Sequence, residues 1–244
     1  MVRPVKRPPV SEALTRVLLH PGFTILVITL LLAIIIILGV WTTVANNRRN
    51  AELISVAAQL GLDFNPDEDR LLPERFSWLN ELSVGANRYA ENIFSGIYCD
   101  NEVFVFDYHY ETYSKDSRGQ SRTTHHRFSF FICILQAQLP KLTIAKEKLF
   151  NKISQTLGAD DIDLESAEFS RKFCVKSSRK KFAYDFCHPQ MMEYLLVHPD
   201  IQLEVDGEAM ATFSSRVPAS TIEANLERLI KIRSLLPEYL FTNS

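Results

Sequence analysis

The sequence predicts an α+β domain with a mainly antiparallel sheet and packed helices, carried behind one N-terminal transmembrane helix. Three observations lead there. An uncharged apolar run lies near the start, several segments alternate apolar and polar residues between short turns, and helix-periodic segments interrupt the strands without regular alternation.

The apolar run comes first. No Lys, Arg, Asp or Glu occurs from Val17 to Asn47, and Phe23–Ala45 reads FTILVITLLLAIIIILGVWTTVA. At about 1.5 Å per residue this run reaches roughly 34 Å, enough to cross a hydrocarbon core of about 30 Å. Backbone groups in lipid have no partner but each other, so even the β-branched run Ile34–Ile37 closes into a helix. Trp41 suits the interface at its far end. A cleaved signal peptide would carry a shorter apolar segment of about 7–15 residues, although Thr43-Val44-Ala45 imitates a cleavage site. The chain is thus divided into a tail (1–21), a transmembrane helix (22–45) and a soluble α+β domain (46–240). Arg3, Lys6, Arg7 and Arg16 precede the span, which weighs toward a cytoplasmic N-terminus and an exported domain, while Arg48 and Arg49 pull the other way.

Behind the span, Leu53, Val56, Ala57 and Leu60 share one helical face, and Gly61 is placed to end that helix. Asn65–Arg75 reads as an acidic, proline-containing loop and Phe76–Leu82 as a short helical segment. Strands Asn92–Cys99 and Glu102–Tyr113 form a hairpin about Asp100-Asn101. On the second strand Phe104, Phe106, Tyr108 and Tyr110 share one face, and Val103, Val105, Asp107 and His109 the other. A strand over Thr124–Gln136 is apolar on both faces at its middle, as suits a central strand covered by helices. Leu139-Pro140 breaks it before a short extended segment, Lys141–Ile144. A helix over Lys146–Leu157, a strand over Glu168–Val175 and two helical pieces within Arg179–Val197, split before Pro189, follow. Asp206-Gly207 predicts a second hairpin, of Ile201–Val205 and Glu208–Ser214. Ser220 and Glu223 form a capping box for a last helix to about Leu236, burying Ile222, Leu226, Leu229 and Ile230.

Composition is that of a globular protein, with 46% hydrophobic and 23% charged residues and sixteen Phe. Residues 1–45 carry a net +3 and the remainder −5, within a total of −2. A mildly acidic domain lacks the basic footprint that phosphate backbones require, which excludes nucleic acid as a partner. Cys99, Cys133, Cys174 and Cys187 allow two disulfides in an oxidising compartment or four reduced thiols, and their spacing matches no zinc pattern.

An ordered set of short motifs carries a family resemblance. Arg48-Arg49 leads into a helix ending Leu60-Gly61-Leu62; Asn92, Gly96, Phe106-Asp107-Tyr108, Tyr110 and Thr112 follow. Leu139-Pro140, Asp161-Ile162-Asp163-Leu164-Glu165 and Phe169-Ser170-Arg171-Lys172-Phe173 complete the set. Over roughly residues 48–236 the chain resembles an uncharacterised bacterial membrane-associated family, a domain of unknown function. It departs at Lys146-Glu147, where such proteins show Pro-Glu. The resemblance implies a membrane-associated domain and brings no activity.

Few residues invite chemistry. Asp107 is the candidate catalytic residue: a carboxylate beside Val103 and Val105 needs Arg127, a backbone amide or water as partner, or a raised pKa. The bland reading makes it a structural hydrogen-bonding residue near a strand end. Asp160, Asp161, Asp163 and Glu165 lack the Gly and distant Glu of a calcium loop and read as a solvated turn. His125-His126 point to opposite faces of a strand and are ill placed to chelate one ion; Cys187-His188 is a similar adjacent pair. Arg179-Lys180-Lys181 reads as a solvated helix start, with anionic lipid as the alternative contact. No nucleophile elbow, zinc helix or phosphate loop occurs. The expectation is therefore a membrane-anchored, non-enzymatic binding or assembly module without metal or cofactor, meeting the lipid bilayer and an unknown protein partner at the cell membrane. The alternatives are an unrecognised membrane-proximal enzyme using Asp107 with Tyr108 or His109, and a lipid-sensing domain.

Overall fold

The computed structural model describes residues 21–115, 119–146 and 162–242, without the side chains of 21, 23, 24, 38 and 41–47. The chain divides into two compact units, Met1–Arg49 and Asn50–Ser244. Helix α1 spans Pro21–Leu60, and within the first unit its side chains from Ile25 to Ile37 and at Val40 stand exposed wherever they are large and apolar. Among the described residues no helix is long and apolar enough to cross a membrane. The span read from the sequence is therefore not carried by the described residues.

The second unit is α+β. Its elements are β1 (Asp63–Asn65), α2 (Leu71–Arg75), α3 (Asn80–Ser83), β2 (Ala86–Tyr98), β3 (Asn101–Lys115), β4 (Ser121–Ala145), α4 (Ala167–Lys172), β5 (Cys174–Ser177), α5 (Lys180–Phe186), α6 (Pro189–Val197), β6 (Gln202–Ser215), a 3-10 turn (Ala219–Thr221), α7 (Ile222–Leu235) and α8 (Tyr239–Thr242). The six strands form one antiparallel sheet in the order β1-β2-β3-β4-β5, with β6 also paired to β4.

Each face of this sheet holds its own core. On one, Val103, Val105, Phe131, Cys133, Leu142 and Ile144 meet Leu53, Ala57 and Leu60 of α1 and the apolar sides of α4 to α7. On the other, Phe104, Phe106, Tyr108, Tyr110, Phe130, Ile132 and Phe213 lie beneath Leu72, Phe76, Leu79 and Leu82. The period-two reading of β3 thus separates the two cores, as a pleated strand must. Gly61, at φ +67°, ends α1, and Leu62 donates its N–H to the Ala57 carbonyl at 3.0 Å.

Several expectations are corrected. Asp206-Gly207 does not reverse the chain: β6 is one strand, and both of its arms pair with the long β4, Ser215 to Ala209 against Phe128 to Ile134 and Val205 to Leu203 against Leu142 to Ile144. Gly207 uses its positive φ of 58° in the irregularity between those arms, opposite Leu139. Leu139-Pro140 does not break β4, because Pro140 sits in that same irregular stretch, where the ladder does not call on its missing N–H. The first hairpin turns at Cys99-Asp100, one residue early, with φ of 47° and 60° and Tyr98 facing Asn101.

The strand expected over Glu168–Val175 is helix α4 followed by β5. Ser166 caps α4 by accepting the Phe169 N–H at 3.2 Å, and Phe169 stacks on Phe173 one turn later, a spacing that fits both periods. The expected loop at Asn65–Arg75 holds α2, begun where the Asp69 carboxylate accepts the N–H groups of Leu71 and Leu72. Ser220 is no cap; a 3-10 turn precedes α7, which buries Ile222, Leu226, Leu229 and Ile232 rather than Ile230. The two pieces within Arg179–Val197 are α5 and α6, with Pro189 opening the latter. The helix expected over Lys146–Leu157 lies outside the described residues beyond Lys146.

Candidate functional site

The helix-covered face of the sheet changes character along β3. Val103 and Val105 are apolar, and the next three residues on that face, Asp107, His109 and Glu111, are not. Across β4 stand Ser129, Arg127 and His125, the respective register partners of those three. Across β2 stand Glu91, Tyr89 and Ala86, and here the ladder slips twice, between Glu91 and Phe94 and between Ala86 and Tyr89. Asn92 (φ 53°) and Asn87 (φ 50°) lie in those two irregularities. Asparagine tolerates the left-handed conformation better than other side chains bearing Cβ, so these two residues place bulges that re-aim polar groups at β3.

At the first bulge, Asn92 donates Nδ2–H to Asp107 Oδ2 at 3.2 Å. Arg216, just beyond β6, donates Nε–H to the same oxygen at 2.8 Å and lies 3.5 Å from Glu91. Ser129 donates its hydroxyl to Asp107 Oδ1 at 2.7 Å while accepting the Val217 N–H at 3.0 Å. Asp107 therefore holds the segment that leads from β6 into α7. Among its described partners the cation is Arg216, where the sequence offered Arg127, a backbone amide or water. The crevice at Asp107, of about 10 Å³, holds one water at most.

At the second bulge, the Asn87 carbonyl accepts from His109 Nδ1 at 3.3 Å, which leaves Nε2 of a neutral His109 as a lone pair. Asn87 also donates Nδ2–H to Glu111 Oε1 at 2.9 Å and accepts from Arg70 at 3.0 Å. His109 Nε2 faces His125 Nδ1 at 3.2 Å, and that nitrogen is 3.5 Å from Glu111 Oε1. Tyr113 donates to Glu111 Oε2 at 2.7 Å, and Tyr89 stacks on the His109 ring. The hydrogen bonds from Asn87 and Tyr113 hold the Glu111 carboxyl below its usual range. Among the described residues, His109, Glu111 and His125 are the group whose ligand atoms converge as a metal would require.

Other candidates fall elsewhere. Tyr108 lies in the opposite core and donates to the Leu82 carbonyl at 3.1 Å, its phenol pushed up by burial. His126 is on that side too, stacked on Tyr110 and bonded to Thr112, so the histidine pair divides between faces as expected. His188 donates Nε2–H to the Leu235 carbonyl at 2.8 Å. Cys133 and Cys187 are buried, each thiol pushed up to about 12 by desolvation, while Cys99 is exposed; no disulfide joins these three. Asp163 and Glu165 are exposed, Asp160 and Asp161 lie outside the described residues, and Arg179, Lys180 and Lys181 stand exposed at the start of α5. A broad concavity of about 670 Å³ opens at the other end of β3, between Cys99–Glu102 and Ile230, Arg233 and Ser234.

Sequence reasoning missed Asn87, Arg216 and the grouping of His109 with Glu111 and His125. A signal existed: His109 and Glu111 are two apart on one face, and Asn is uncommon inside strands.

No protein-family model matches the chain. No curated protein matches it by sequence. Among solved structures, the mycobacterial trehalose monomycolate transport factor A is similar in fold, with a TM-score of 0.58 at 13% identity, over 78% of this chain and 96% of that one.

Proposed function

We propose that this chain is a membrane-anchored, non-enzymatic accessory module that supports the movement of a membrane lipid by binding a protein partner or the lipid itself. The observation that carries the reading is the fold likeness to a trehalose monomycolate transport factor, over 78% of this chain and 96% of that one. The apolar run Phe23–Ala45 supplies the anchor, and the exposed apolar side chains of α1 are consistent with lipid around it. Membership of the uncharacterised bacterial membrane-associated family belongs to the same proposal, as does a single-pass location in the cell membrane.

The state of Asp107 supports a non-enzymatic reading. Its carboxylate is occupied by Arg216, Ser129 and Asn92, and the adjacent crevice is too small for a substrate. A general base needs reach to a substrate proton, and here that reach is spent on holding α7.

The test is depletion of the chain in its host with pulse-labelling of membrane lipids. The reading expects lipid synthesis to continue while arrival of one lipid class at its final leaflet or layer falls several-fold. Unchanged distribution of every labelled class would refute it.

A further inference from the structure

We propose that His109, Glu111 and His125 bind one divalent first-row transition cation of the zinc class, with Asn87 as its positioning residue. The inference does not depend on the lipid-transport reading. Zinc takes bonds of about 2.0–2.2 Å to imidazole nitrogen and carboxylate oxygen, so tetrahedral ligands lie about 3.3–3.5 Å from one another. The separations of 3.2 Å between His109 Nε2 and His125 Nδ1 and 3.5 Å between His125 Nδ1 and Glu111 Oε1 lie close to that edge. All three ligand atoms lie within 4.8 Å of one another.

The surroundings support the same assignment. A metal-bound histidine characteristically donates its other ring N–H to a carbonyl or carboxylate, which fixes the tautomer. His109 does so to the Asn87 carbonyl, and its Nε2 is thereby presented as a lone pair. The carboxylate is held in the same way, through Asn87 Nδ2 and the Tyr113 hydroxyl. One residue in a left-handed bulge thus orients two of the three ligands. His109 is buried and His125 exposed, so an ion has a rigid floor and an open approach. Two imidazoles with one carboxylate favour zinc, copper, nickel or iron over magnesium or calcium. Three protein ligands leave a position for water or an anionic ligand.

The experiment uses the full chain in detergent, dialysed against a chelator and then titrated with Zn2+ by calorimetry and with Co2+ by visible absorption. One ion per chain is expected at micromolar concentration or below, with the strong visible bands of four-coordinate Co2+. His125→Ala alters an exposed side chain and should fold; it and Glu111→Gln should each weaken Zn2+ binding at least about tenfold. Asn87→Gly keeps the positive φ while removing the carboxamide, and a loss of about tenfold is expected there too. His126→Ala, on the opposite face, should leave binding unchanged. Absence of micromolar binding, or binding that survives both His125→Ala and Glu111→Gln, would overturn the proposal.

Discussion

The two faces of the sheet are covered in different ways, and the difference explains why buried tyrosines and a buried glutamate lie on one of them. One face is covered by helices, which satisfy their own backbone groups and need only apolar contact: Leu226, Leu229 and Ile232 of α7 and Met191 and Leu195 of α6 meet Val105, Phe131 and Cys133 among others. The other is covered by a short strap, Leu71–Ser83, with barely a turn of helix at each end. Such a strap leaves carbonyl and N–H groups that something else must satisfy. The sheet provides for them. Tyr108 donates to the Leu82 carbonyl, Lys141 to the Trp78 carbonyl at 3.1 Å, and Glu204 accepts the Asn80 N–H at 2.8 Å, while Tyr110 donates to the Glu81 side-chain carboxylate at 3.2 Å. Tyrosines and a buried glutamate therefore belong to the strapped face because its cover is irregular.

The largest effect expected from this contrast is at the centre of the strapped core. Phe130 stacks on Phe106 and Phe213 and meets Tyr108 edge-on, and Phe130→Ala should cost about 3–5 kcal/mol in urea denaturation. Leu226→Ala on the helical face should cost a similar amount, about 2–5 kcal/mol. The two should part under limited proteolysis, with Phe130→Ala opening Leu71–Ser83 to cleavage and Leu226→Ala sparing it. Equal cleavage would erase the distinction between the faces. Next in size is Arg216→Met, which removes the Nε–H and charge that Arg216 gives Asp107 and should cost about 3 kcal/mol by the same denaturation assay.

Glu204 yields a pH-dependent effect. Burial, set against the Asn80 N–H and Lys141, raises its carboxyl from the ordinary 4.5 to about 7. The folded state holds that proton more tightly than the unfolded state, so the group's stabilisation is complete below pH 4.5 and is lost as the pH rises through about 7. Glu204→Gln keeps an acceptor for the Asn80 N–H and carries no charge. It should match the wild type near pH 4.5 and exceed it at pH 8, by on the order of 3 kcal/mol at most. A variant less stable than wild type at pH 8 would show that Glu204 works there as an anion. The smallest change is Tyr108→Phe, which removes one tether and should cost about 1–3 kcal/mol, again with faster cleavage of the strap.

Much of the fold was legible because the two faces of β3 and the apolar side of α1 obey simple periods. Where the reading failed, two signals competed. Asp206-Gly207 has the chemistry of a hairpin turn, and only a partner strand as long as β4 makes a straight continuation the better use of it. Phe169 and Phe173 fit a strand and a helix equally, and Ser166 decided the matter. The site was less legible than the fold. Asp107 was visible as an anomaly, but its partner Arg216 is 109 residues away in sequence. In sequence His125 pairs with His126, its chain neighbour, whereas its companions in the fold lie across the ladder at Glu111 and His109. Register, which no local pattern supplies, makes that site.

We propose that residues 23–45 hold this domain at a bilayer. Membranes carrying the full chain, washed at alkaline pH and ultracentrifuged without detergent, test it most directly. The uncleaved chain should stay in the pellet and a chain lacking 23–45 should move to the supernatant; full-length, uncleaved protein in the supernatant would refute the anchor.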